Sequence, residues 1–259
     1  MMCRLHVDLF FQDRYLLNGV DMKIRLVQSK DACALMADGA NADFKVCIVE
    51  AVLFVRKAKL NPAVQMAHIN ALEKTTAKYP LRRVDCKVFS IPRGFMSHTN
   101  ENIYLGVLPK RMVLCFIDND AYNGAYNKNP FNAKHNNMNF LALYVDGQQV
   151  PPKSLQPRFD NGHYVRSYVN LFAGTGKMFQ DEGNDLTQKD FGNGYTLFSF
   201  DLTPDACDDG SHFNLLQKGN LRVEIHFDQP LGQTVNAIVY GEFESVLEID
   251  RSRNIIYDY

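Results

Sequence analysis

The sequence predicts a mostly β chain folded as an antiparallel sandwich, and three observations carry that reading. From Val84 onward the apolar residues fall into eight short runs, at 84–91, 103–107, 111–118, 139–146, 163–172, 195–202, 221–228 and 235–249. Clusters of Gly, Asn, Asp and Pro separate the runs, and only one stretch of the chain has convincing helical spacing. Alternation with a period of two is the mark of a half-buried strand, and many short strands with almost no helix predict a sandwich. Eight is also the strand number of a jelly roll.

Ahead of these runs, residues 4–11 and 20–27 read as strands joined through a turn at Asn18-Gly19. Residues 28–43 read as a surface loop, and Phe44 to Lys57 as a long strand of mixed burial. Asn61-Pro62 then places an N-cap and a Pro at the first helical position, which opens a helix whose apolar stripe is Val64, Met66, Ala67, Ile69 and Ala71. Tyr79-Pro80 ends the helical region, since proline disfavours helix in the residue before it. Two connections are long for a sandwich, 119–138 and 173–194, and long ordered loops usually carry function or contacts with another chain. Tyr122, Tyr126, Phe131, Met178 and Phe179 give those loops apolar side chains to bury.

The chain also repeats part of itself. Late in the sequence, Leu215, Leu216 and Gly219 precede Leu221, Val223, Ile225 and Phe227, which alternate with Arg222, Glu224 and His226. Early on, Leu16, Leu17 and Gly19 precede Val20, Met22, Ile24 and Leu26, which alternate with Asp21, Lys23 and Arg25. A third block follows in both places, Glu50 to Lys57 and Glu244 to Arg251, and Leu5 to Phe11 has a looser counterpart in Tyr195 to Leu202. The repeat is too long for a solenoid and predicts two copies of one domain, the first incomplete.

Composition narrows the function classes. A chain of 259 residues with 46% hydrophobic content buries a sizeable core, on the order of 70–75% of its extended surface. The net charge of −1 supplies no global field to attract nucleic acid. No apolar run reaches the ~20 residues of a membrane-spanning helix, and the first eight residues lack the apolar region of a signal peptide. These features predict synthesis in cytoplasm or nucleus. The six cysteines, at 3, 33, 47, 86, 115 and 207, contain no CxxC pair, four of them lie in or next to apolar strand patterns, and they read as small core hydrophobes, not as a disulfide framework.

Candidate chemistry is sparse. Gly174-Thr-Gly-Lys177 invites a phosphate-loop reading, but the full motif needs Gly at 171 and Ser or Thr at 178, where this chain has Leu171 and Met178. A tight loop is the better expectation. The seven histidines, at 6, 68, 98, 135, 163, 212 and 226, include no HxH pair, and His6 and His226 fall on polar strand faces. Asp201, Asp205, Asp208 and Asp209 gather in a loop that reads as a solvated turn, with a weak cation site as the alternative. The basic pairs Arg82-Arg83 and Lys110-Arg111 lack the interleaved aromatics of a single-strand platform. No Gly-x-Ser-x-Gly or His-Glu-x-x-His is present. What stands out is 12 Tyr and 18 Phe without a Trp, a surface suited to packing against copies of itself.

Several longer runs resemble a known family. LHVDLFFQDRYLLNGVDMKIRLVQSKDA (5–32), TAKYPLRR (76–83), NFLALYVDGQQVP (139–151), LFAGTGKMFQDEGNDL (171–186) and VNAIVYGEFESVLEIDRSRNIIYDY (235–259) resemble the double jelly-roll major capsid protein, or hexon, of Maverick/Polinton elements and adintoviruses. The resemblance implies that 1–60 are the closing strands of an incomplete first jelly roll, that 61–83 hold the connecting helix and linker, and that 84–259 are the second roll. It further implies a non-enzymatic virion protein with no catalytic, metal or cofactor residues. Its partners would be itself, as a homotrimer forming a pseudo-hexagonal capsomer, neighbouring capsomers, and penton or minor capsid proteins. The reading from another class is a host-retained jelly roll that binds a small molecule or carbohydrate. If the first roll is incomplete, the apolar faces of 4–11, 20–27 and 44–57 lack an opposing sheet, which predicts aggregation of the chain and better solubility once residues 1–60 are deleted.

Overall fold

The computed structural model describes residues 2–37, 43–178, 180–181, 183–204 and 214–257. They form two compact units: one of Met1–Gln28, Val46–Arg83 and Glu244–Tyr259, the other of Ser29–Lys45 and Val84–Phe243. In chain order the strands are β1 (Ala77–Ile91), β2 (Ser97–Val107), β3 (Arg111–Asp118), β4 (Met138–Val145), β5 (Gln148–Leu155), β6 (Phe198–Asp201), β7 (Lys218–Phe227), β8 (Val235–Ile249) and β9 (Ile255–Tyr257). The helices are α1 (Asp31–Ala34), α2 (Pro62–Leu72), α3 (Asn119–Asn123), α4 (Val165–Gly174) and α5 (Gln188–Gly192), with a single 3-10 turn at Asp8–Phe10.

One sheet has the order β1-β8-β3-β6, with β9 added beside β8, and the other has the order β2-β7-β4-β5. In each sheet the outer pairs are β1·β8, β3·β6, β2·β7 and β4·β5, so the two strand numbers of every such pair sum to nine. That is the pattern of one long antiparallel ribbon, with its closed end at the β4–β5 hairpin, wrapped so that β8 meets β3 and β7 meets β4. It is the eight-stranded jelly roll. The closing turn is Asp146-Gly147, both at positive φ (48° and 81°), between the paired residues Val145 and Gln148. Both central residues at positive φ match the right-handed twist of the flanking strands.

Alternation builds the core. On β7, Leu221, Val223, Ile225 and Phe227 are buried while Arg222, Glu224 and His226 lie on the other face, as their spacing predicts. Val235, Ala237 and Val239 of β8, Met112, Leu114 and Phe116 of β3, and Leu141 and Leu143 of β4 join them in one apolar cluster. Gly241 leaves room for Tyr104, whose hydroxyl a Cβ there would approach to 2.8 Å.

The structure corrects several expectations. The described residues of 4–11, 20–27 and 44–57 contain no strand, only the 3-10 turn at Asp8–Phe10. Among the described residues no strand of either sheet pairs in register with them, and an extended segment outside a ladder gains little from strand geometry. Many of their apolar side chains face solvent, with Val49 97%, Phe54 81% and Leu26 66% exposed, while Leu5, Leu9, Val20 and Val46 are half-buried. Residues 8–14 instead cover the free edge of β1 through side chains. Gln12 Nε2 donates to the Pro80 carbonyl (2.6 Å), Arg14 to the Lys78 carbonyl (2.7 Å), and the Arg82 amide donates to Asp8 Oδ2 (2.8 Å). Pro80 therefore sits inside a strand, tolerated because β1 is an edge strand and proline has no N–H to offer there.

The run at 163–172 is helix α4, not a strand, and the missing strand is β5, which carries Pro151 and Pro152 at the other sheet's edge. The capped start of α2 is as expected, with the Asn61 side chain accepting from the Ala63 amide, yet its apolar residues are not buried: Val64, Met66 and Ile69 remain exposed.

Candidate functional site

Four connections meet at one end of the larger unit: 92–96, 119–137, 156–197 and 228–234. Main-chain hydrogen bonds tie them together. The Gly94 amide donates to Leu231 O (2.8 Å), Asn119 to Thr234 O (3.1 Å), Asp228 to Asn137 O (2.9 Å) and Ala133 to Gly194 O (2.7 Å). Residues 29–37 clip the β3–β4 connection from outside, through Ala37 N to Tyr126 O (2.9 Å), while the Tyr126 hydroxyl donates to Phe44 O (2.8 Å). This end carries both long loops that the sequence singles out.

An aromatic chain anchors the loops to the core. His135 stacks on Phe159 (centroids 4.1 Å), Phe159 on Tyr164 (5.0 Å), Tyr164 on Phe191 (6.0 Å), and Phe191 meets Phe198 edge-on (6.0 Å). Phe198 contacts Phe116, and Phe116 contacts Phe227, so the rings run from the loop surface into the middle of the sandwich. Contacts of this geometry add about 0.5–1.5 kcal/mol each beyond area burial. Of the described side chains expected to be buried in these loops, Tyr126 is half-buried and the others are exposed. Phe131 is 79% exposed, Tyr122 and Met178 are also exposed, and Phe179 lies outside the described residues. Several anchors sit on a helix and not on the strand that 163–172 predicts: Tyr164, Tyr168, Leu171 and Phe172 repeat at helical spacing.

Gly174-Thr-Gly-Lys177 is the end of α4 rather than a phosphate cradle. Gly176, at φ +67°, donates to Ala173 O (3.2 Å) and Lys177 N to Phe172 O (2.9 Å), the paired bonds of a Schellman termination. The loop amides are thus satisfied by the helix itself. Gly174 has a separate role, since a Cβ there would stand 2.7 Å from the Ser199 backbone carbon. Helix α5 starts with a reciprocal capping box between Thr187 and Asp190, which holds the Asp190 carboxyl below its usual range.

The loops also enclose a shallow cleft of about 420 Å³, lined by Asn132, Lys134, His135, Asn136, Asn137, Gly192, Asn193 and Gly194. Asn136 (φ 48°) and Asn137 (φ 50°) are successive left-handed residues, which turn the chain sharply into β4. His135 Nδ1 accepts the Asn137 amide (2.9 Å), so the neutral ring carries its proton on Nε2. Burial holds the His135 pKa below its ordinary value, opposed by the nearby Asp160. Lys134 Nζ donates to Asp118 Oδ2 (2.6 Å), a carboxylate at the buried end of β3.

The remaining sequence candidates do not converge. His98 stacks on Phe89, and burial lowers its pKa. His6 lies outside any strand, stacked on Phe11. His226 does lie on the polar face of β7, 2.9 Å from Glu224, beside Arg222. That hydrogen bond is the main reason the Glu224 carboxyl lies below its ordinary range. Asp201 accepts from the Thr203 amide and hydroxyl as a turn, while Asp205, Asp208, Asp209, His212 and Cys207 lie outside the described residues. Cys3, Cys47 and Cys86 are exposed rather than core, and burial pushes the Cys115 thiol up to about 11, so it stays protonated. Lys110 and Arg111 are buried, and Arg111 pairs with Glu242 at 3.3 Å, so they form no basic patch. Among the described residues no group of three or more potential ligands gathers to hold a metal, and no helix is long and apolar enough to cross a membrane.

No family model matches the chain. An uncharacterized protein of Caenorhabditis elegans is 26% identical over 261 residues, an alignment covering 98% of this chain and 62% of that protein. The chain thus spans less than two thirds of that relative. Among solved structures, it is similar to a chain of the Sputnik virophage (14% identity, 71% of this chain and 39% of that one, TM-score 0.46). It is also similar to the PBCV-1 protein VP54 (8%, 77% and 55%, TM-score 0.46) and to the mavirus major capsid protein (8%, 71% and 41%, TM-score 0.36).

Proposed function

We propose that this chain is a structural capsid subunit of the double jelly-roll type, which assembles with copies of itself into trimeric, pseudo-hexagonal capsomers of a virion. The observation that carries the reading is the internal repeat. The late copy of the repeated blocks supplies β7 and the far half of β8, two strands that a jelly roll places in opposite sheets, so the early copy reads as the same ribbon of a separate, first roll. On this reading residues 1–60 belong to the first roll, 61–83 connect, and 84–259 are the second. The exposed apolar residues of 20–27 and 44–57 are then surfaces for the remaining sheet of that first roll. The sequence runs that resemble Maverick/Polinton and adintovirus hexons support the same assignment, as do the long loops tied together at one end. Penton and minor capsid proteins are the further partners, synthesis takes place in the host cytoplasm or nucleus, and the chain performs no catalysis.

Native mass spectrometry across a concentration series, combined with negative-stain imaging, tests this directly. The expected species is a trimer with three-fold or pseudo-six-fold outline. A chain that stays strictly monomeric at high concentration overturns the reading.

A further inference from the structure

We infer that the loop cleft between Asn132–Asn137 and Gly192–Gly194 is a binding site for a neutral saccharide of one or two sugar units. The inference concerns a ligand, not assembly, and is independent of the capsid reading.

Three features of the cleft carry it. The first is its inventory of hydrogen-bonding groups. The side-chain amides of Asn132 and Asn137 and the His135 Nε2–H make no hydrogen bond to the described residues, and Asn136 and Asn193 each commit only the amide nitrogen, to Lys134 O and Lys189 O, leaving both carbonyl oxygens to accept. Interleaved donors and acceptors of this kind match vicinal hydroxyls, each of which donates once and accepts twice. The second is charge. The one cation of the wall, Lys134, is paired at 2.6 Å with the buried Asp118, so the cleft presents amides and an uncharged imidazole rather than a free ion. An anionic ligand would find no unpaired positive charge there. The third is rigidity and size. Asn136 and Asn137 are both fixed in the left-handed region, His135 is held by the Asn137 amide and by its stack on Phe159, and Phe159 joins the aromatic chain into the core. The volume of about 420 Å³ falls within the ~300–1,000 Å³ range of small-molecule sites.

Asn137→Gly is the informative substitution. Glycine adopts φ +50° freely, so the backbone turn survives while one free amide is removed. Asn132→Ala removes the other from a different loop position. Saturation-transfer difference NMR on the whole chain, with a panel of neutral hexoses, N-acetylhexosamines and their disaccharides, is the readout, and dispersed methyl signals report the fold. The expected result is transfer to at least one neutral sugar at millimolar concentration. Each substitution then weakens binding about threefold to tenfold, the worth of one neutral hydrogen bond, whereas Gln149→Ala on β5 leaves it unchanged. Three results overturn the inference: no transfer to any neutral sugar from the folded chain, transfer undiminished in both Asn137→Gly and Asn132→Ala, or transfer only to sialylated or sulfated sugars.

Discussion

At Gly174 two residue-level effects oppose each other, and their magnitudes decide the outcome of a single substitution. Alanine is favoured over glycine in a helix by up to about 1 kcal/mol. In this helix, however, the added methyl would meet the Ser199 backbone at 2.7–2.8 Å, where neither atom is the end of a flexible side chain. Relieving such a clash in a packed region costs about 1–3 kcal/mol. Gly174→Ala is therefore expected to lower the melting temperature, and calorimetry showing an unchanged or raised value would remove the close approach of α4 to β6 as an explanation for the glycine. His135 yields a pH prediction. Its folded pKa lies below the ordinary 6.5, so the unfolded chain takes up a proton before the folded one does. Stability from this group is complete above pH 6.5 and declines as the pH falls below that value, with His98 acting in the same direction. Melting temperatures between pH 7.5 and 5.5 should fall less steeply in His135→Gln than in the parent chain; parallel slopes would show that the ring does not couple to folding.

Among the elements, the long loop between β5 and β6 is held by packing rather than by sheet pairing, because α4 and α5 touch the sandwich through rings. Phe191 is central, contacting Phe159, Tyr164, Tyr168 and Phe198 while fully buried. Phe191→Ala is expected to cost about 3–5 kcal/mol and to open 156–197 to limited proteolysis ahead of the strands. Cleavage at the same sites and rate as in the parent chain would contradict that anchoring role. The same stretch shows where sequence reasoning reached its limit. Strands such as β7 and β8 were legible because one face of each is buried and the pattern alternates. At α4 the residues Tyr164, Tyr168, Leu171 and Phe172 carry a helical period, but a ten-residue apolar segment among strands fits either element. β5 was hidden for a different reason. Its two prolines argue against a strand, and only its edge position, a property of the whole sheet, makes them acceptable. The cleft was legible only as two long loops, since the spatial approach of 132–137 to 192–194 depends on how both of them fold.

For the whole molecule, the decisive contrast lies between a sandwich whose apolar faces are covered and an N-terminal segment whose apolar residues are not. Within 44–55 alone, Phe44, Ile48, Val49, Val52, Leu53, Phe54 and Val55 are all at least 49% exposed. A β-prone stretch with this much exposed apolar surface invites strand association between chains. The N-terminal residues are not uniform in this respect, because 8–14 cover the free edge of β1 at Lys78, Pro80 and Arg82, and 29–37 brace the β3–β4 connection at Tyr126. Deleting residues 1–60 removes the aggregation-prone stretch together with both of these contacts. Replacing Val49, Val52 and Phe54 by Thr, Lys and Ser removes only the stretch. Both changes are expected to raise soluble yield, and the triple substitution should keep the parent melting temperature while the deletion lowers it. Light scattering and thermal denaturation of the three proteins side by side decide the matter. If the triple variant aggregates as readily as the parent chain, the exposed segment is not what drives association, and the reading of 44–57 as part of another roll loses its physical support.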